Sequence, residues 1–78
     1  MEFVLRGRVY RLTKEEVEVK MREVEPEPVR KHYVVINGRK YPVKQVIEAC
    51  LGIPRLDFTT QQARRILSRL GFELGFRA

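Results

Sequence analysis

Tyr33-Val-Val-Ile-Asn-Gly-Arg-Lys-Tyr-Pro-Val-Lys44 is the stretch on which the reading of the fold turns. Asn37-Gly38 stands between β-branched and aromatic residues. That pair favours a two-residue type I′ turn, because both central positions need positive φ. The stretch therefore reads as a β-hairpin. Tyr33, Val35 and, as one option, Tyr41 are placed on one of its faces, and Val34 and Ile36 on the other. Arg39 and Lys40 leave the turn as a basic pair.

Working toward the C-terminus, Pro42 suits the first turn of a helix, where its missing amide costs nothing. Val43, Val46, Ile47, Cys50 and Leu51 recur at helical spacing and form a broad apolar stripe. Gly52 reads as the left-handed cap. Ile53–Phe58 is a connector stiffened by Pro54. A last helix follows, with Thr59 and Gln62 in the spacing of a capping box. Ala63, Ile66, Leu67 and Leu70 make its core stripe, Gly71 stops it, and Phe72–Phe76 reads as a closing strand.

Working toward the N-terminus, Thr13 and Glu16 form another capping-box pattern, and Val17, Met21 and Val24 share a helix face, which predicts a helix over 13–24. Glu25-Pro-Glu-Pro reads as a stiff turn. Phe3–Leu12, interrupted by Gly7, reads as one bent strand or a small hairpin. The expected fold is α+β in the order β-α-β-β-α-α-β. A hairpin packs on three helices in a winged-helix-like arrangement within one domain, 1–78. Residues 1–12 are the N-terminal strand region and 13–74 the main module.

Charge is distributed unevenly over the 78 residues, whose net charge is +6. Residues 1–27 hold six basic and seven acidic side chains, and residues 28–78 hold ten basic and three acidic. A basic half on a small domain attracts polyanions. The bland account of the same cations is a solvated surface. One cysteine excludes an intrachain disulfide and suits a reducing compartment. No apolar run approaches ~18 residues, so no membrane helix is expected, and the N-terminal apolar stretch is too short for a signal peptide. A cytoplasmic protein is the expectation.

Catalysis is hard to assemble from these residues. His32 and Cys50 are the sole histidine and cysteine, and Glu48, Asp57 and Glu73 are isolated in sequence. No metal-ligand spacing and no glycine-rich phosphate loop is present, so neither enzyme activity nor a cofactor is expected. The last helix carries Gln61, Gln62, Arg64, Arg65, Ser68 and Arg69 off its apolar stripe, with no acid among them. Glutamine and arginine make two-pronged hydrogen bonds to adenine and guanine edges, and they stand in the first turns, where recognition helices meet bases. Gln61, Gln62, Arg64, Arg65 and Arg69 are the candidate contacts for duplex DNA, with Arg39, Lys40 and Lys44 in support on the backbone. RNA, an acidic protein partner and a homodimer are the alternative partners. Aromatics for stacking unpaired bases are few and look core-bound.

Tyr33–Lys44, the aliphatic helix, Asp57-Phe-Thr-Thr and Arg69-Leu-Gly-Phe-Glu-Leu together resemble the N-terminal head domain of McrA-type modification-dependent HNH restriction endonucleases. They are also similar to small stand-alone bacterial proteins. The resemblance covers about residues 13–74. It implies an accessory domain that helps engage DNA without nuclease activity, with Lys44 and the Thr59–Arg69 helix matching parts of that module. The nuclease segment and a modified-base pocket domain have no counterpart here, so cleavage and modified-base recognition are not carried over.

Overall fold

Asn37 and Gly38 both adopt positive φ, 53° and 76°, and close the hairpin that their sequence predicts. The computed structural model describes residues 1–77. Its elements are β1 (Glu2–Leu5), β2 (Arg8–Arg11), α1 (Lys14–Met21), β3 (His32–Ile36), β4 (Arg39–Pro42), α2 (Val43–Leu51), a 3-10 turn (Arg55–Asp57), α3 (Thr60–Arg69) and β5 (Glu73–Phe76). The class is α+β, with three helices and two antiparallel sheets. Of the two options for the N-terminal region, the hairpin forms: β1 pairs with β2 around Arg6-Gly7, whose φ values are 52° and 76°. An arginine in the left-handed region is uncommon, so Arg-Gly gives a weaker turn signal than Asn-Gly.

The second sheet has the order β4-β3-β5. Val34 lies opposite Tyr41 on one side and Leu74 on the other. Cross-strand partners point to the same face, so Tyr41 sits with Val34 and Ile36 and not with Tyr33. All three are buried. Helix α2 contacts β3 and β4, α3 contacts β5, and α1 and α3 each pack on α2. Val17 and Met21 of α1, Val46 and Ile47 of α2, and Ala63 and Leu67 of α3 fill the space between, all fully buried. Phe3, Leu5 and Leu12 extend the same core into the N-terminal hairpin. The opposite face of the three-stranded sheet carries Tyr33, Val35, Lys40, Glu73 and Gly75, none of them fully buried. Gly75 lies so close under the Tyr33 ring that any Cβ there would overlap it.

Both capping boxes form: Glu16 N–H donates to the Thr13 hydroxyl at 3.1 Å, and Gln62 N–H to the Thr59 hydroxyl at 3.1 Å. Gly52 takes the left-handed cap of α2 at φ 70°. Helix α1 is shorter than its periodicity predicts, ending at Met21 with a tightened turn through Val24. The cause lies on β4. The Tyr41 hydroxyl is 2.9 Å from both the Met21 and Val24 carbonyl oxygens, and Arg39 Nη2 donates to Met21 O at 2.9 Å. Side chains from the hairpin thus take carbonyls that a longer helix would have kept for itself. Pro26 adds to this by disfavouring helical geometry at Glu25, so the helix cannot resume beyond the turn.

Candidate nucleic-acid interface

Helix α3 separates its side chains cleanly. Ala63, Ile66 and Leu67 face the core, while Gln61, Arg65, Ser68 and Arg69 are exposed. Arg64 is intermediate: its Nη1 donates to Gln61 Oε1 at 2.9 Å, and its Nε is enclosed with no partner. Gln61, Arg64, Arg65, Ser68 and Leu74 line a shallow groove of about 330 Å3 between α3 and β5. Among the described residues, Arg65 and Arg69 make no hydrogen bond or ion pair through their side chains. Gln62 is not free in the same way. Its Oε1 accepts from Thr59 N–H at 2.8 Å, so it serves the helix cap.

The three supporting residues separate from one another. Arg39 is spent on the Met21 and Arg22 carbonyls, at 2.9 and 3.4 Å, with its guanidinium 5.4 Å from the Tyr41 ring. Asn37 Nδ2 donates to Glu18 O at 2.8 Å, so the hairpin turn leans on α1. Lys40 is exposed on the outer sheet face, its ammonium 4.9 Å from the Tyr33 ring. Lys44 donates to Arg55 O at 3.0 Å and lies 5.6 Å from the Phe58 ring. Arg39, Lys40 and Lys44 therefore do not make one patch at the turn.

Sequence periodicity gave no sign of the polar cluster beside α2. Arg55 makes paired hydrogen bonds to Glu27, 2.8 and 3.0 Å, and reaches Glu48 at 2.6 and 3.1 Å. The Glu27 and Glu48 carboxyls are both held below the ordinary glutamate value, chiefly by hydrogen bonds from Arg55, and Arg55 is held above its own by the same bonds. Buried Gln45 completes the clamp, accepting from Glu27 N–H at 3.0 Å and donating to Glu25 O at 2.8 Å. Residues 25–27 are thereby fastened to α2. Glutamates 21 residues apart in sequence carry no local signal of sharing one arginine. Burial pushes the Cys50 thiol up to about 11, the opposite of nucleophile activation. Among the described residues, no three His, Cys, Asp or Glu side chains converge as metal ligands.

A family model described as SCO5918-like matches residues 1–77, nearly the whole chain. The chain belongs to the SCO5918-like family. No curated protein and no solved structure matches it. Membership spans the N-terminal hairpin as well as the Thr13–Leu74 module, in keeping with the single core that joins them. No helix among the described residues is long and apolar enough to cross a membrane.

Proposed function

We propose that this chain is a small, non-catalytic, cytoplasmic DNA-binding module that lays α3 against duplex DNA. The observation that carries the reading is the contrast among its arginines. Arg39, Arg55 and Arg77 are tied to carbonyls or carboxylates of the chain itself. Arg65 and Arg69 stand exposed on an acid-free helix face beside Gln61, and the enclosed Nε of Arg64 is left without an acceptor. Cations that hold no internal partner are the ones available to neutralise phosphates. Planar guanidinium and amide groups on the first turns also match the base edges of a major groove. The resemblance to the McrA-type head domain points the same way.

A labelled duplex titrated at ~50 mM salt, where phosphate-driven binding is strong, is the test. Wild type is expected to bind, with log affinity falling by about 0.9 per log salt for each phosphate neutralised. Arg64→Ala/Arg65→Ala is expected to weaken binding and flatten that slope. No binding by wild type at low salt sinks the proposal, and an unlabelled RNA duplex that competes better than DNA moves it to RNA.

A second reading is association with a protein partner or another copy. It is favoured by Val4 and Val9, cross-strand neighbours that are 68% and 66% exposed on the N-terminal hairpin. A dimer that persists at high salt with no DNA affinity supports it instead.

A further inference from the structure

A cleft of about 660 Å3 opens between the 27–32 segment and the first residues of α2 and α3. Its lining holds four cations, Arg30, Lys31, Lys44 and Arg55, against one carboxylate, Glu27. That carboxylate is already taken by both terminal nitrogens of Arg55. Arg30 and Lys31 are exposed, and among the described residues their side chains hold no partner. Lys44 uses one ammonium proton on Arg55 O, which leaves two for a ligand. The start of α2 borders the cleft through Pro42 and Val43, and Pro42 supplies no side-chain cap. His32 also lines the cleft, and its Nδ1 is enclosed without a hydrogen-bond partner. Thr60 closes this lining, and the next residue, Gln61, begins the lining of the α3 groove.

We infer that this cleft seats a backbone phosphate of the same nucleic acid that lies on α3, an inference that rests on the DNA-binding reading above. The positive surface then runs from Arg30 and Lys31 past Lys44, over the Thr60–Gln61 corner, to Arg64 and Arg65. Donors and cations in surplus over acceptors are what a phosphate oxygen satisfies. The Glu27–Arg55–Glu48 clamp holds one wall and carries a net charge of −1, so the positive charge offered to a phosphate comes from Arg30, Lys31 and Lys44. The second anchor of the interface is this cleft, and the β3–β4 turn, with Arg39 spent internally, is not.

The test compares two double variants that each remove two unpaired positive charges. Arg30→Ala/Lys31→Ala empties the cleft wall. Arg8→Ala/Arg22→Ala removes cations that line neither the cleft nor the α3 groove and have no partner among the described residues. Melting curves matching wild type certify the fold of both. The salt dependence of duplex affinity is then measured over about 50–200 mM, where counterion release dominates. The cleft pair is expected to lower the log–log slope by about 0.9–1.8, one to two phosphates, and the control pair to leave it unchanged. An equal loss in both pairs overturns the seat, because net charge alone then accounts for it. An unchanged slope in the cleft pair, with Arg64→Ala/Arg65→Ala still weakening binding, overturns the seat and leaves the α3 reading standing. No duplex binding by wild type removes both.

Discussion

Tyr41→Phe isolates one buried hydroxyl and tests how the hairpin ends α1. Tyr41 is fully buried, and its hydroxyl lies 2.9 Å from the Met21 and Val24 carbonyl oxygens. One hydroxyl has one proton, so it donates to one of them at a time. Leaving a buried acceptor without a donor costs about 1–3 kcal/mol. Met21 O keeps Arg39 Nη2 at 2.9 Å after the substitution, so Val24 O is the group orphaned. Val24 is half-buried and its carbonyl gains some access to water, which puts the cost in the lower half of that range, about 1.5 kcal/mol. For a domain of this size that corresponds to a Tm lower by about 6–12 °C. Differential scanning calorimetry or circular dichroism melts measure it directly. The substitution keeps the ring and removes only the hydroxyl, so the cavity contribution is small beside the lost hydrogen bond. Adding Arg39→Ala leaves Met21 O with the Val24 N–H at 3.2 Å as its one remaining donor, and the double variant is expected to lose about 0.5 kcal/mol beyond the sum of the singles. A single variant whose Tm stays within about 2 °C of wild type, together with strictly additive losses, refutes the account of the helix end.

Thr59→Ala removes the hydroxyl that accepts from Gln62 N–H and is expected to cost about 1 kcal/mol by chemical denaturation, the usual worth of an N-cap. Glu27 and Glu48 both have depressed carboxyl pKa values, so their contribution is complete above the ordinary glutamate value of 4.5 and is lost as pH falls through the lower folded values. Stability followed downward from pH 5 is accordingly expected to fall less steeply in Arg55→Ala than in wild type; parallel curves dispose of the clamp. Gly75→Ala pushes the Tyr33 ring off its seat, an overpacking cost of about 1 kcal/mol or more. In a Tyr33→Ala background the same change is expected to stabilise by about 0.4–1 kcal/mol, since alanine narrows the unfolded ensemble. That reversal of sign in urea titrations is the check.

Much of this fold is written locally. The Asn37-Gly38 turn, both capping boxes and the Gly52 cap each occupy two to four consecutive residues, and each closes as its chemistry predicts. What escaped sequence reading is long-range. Arg39 looks like a free cation at a turn until α1, 17 residues earlier, offers its carbonyls. Arg55 looks like one more surface charge until Glu27 arrives from 28 residues away. The helix face at 60–70 was legible because burial at helical spacing is a periodic signal, and Ala63, Ile66 and Leu67 are the residues it buries. Which of its polar residues remain unengaged was not, since capping draws Gln62 in and leaves Gln61 and Arg65 out.

The packing of the tyrosines has a practical side. The chain contains no tryptophan and three tyrosines, so tyrosine supplies its intrinsic emission. Tyr41 is sealed in the core, whereas Tyr33 rests on the backbone of Gly75 on the outer sheet face with the Lys40 ammonium 4.9 Å from its ring. A small neutral quencher reaches Tyr33 in the native protein and reaches Tyr41 only after the chain opens. With Tyr10 replaced by phenylalanine, two optical signals remain, one for the surface and one for the interior, and no extrinsic dye is needed to tell a docking event from unfolding.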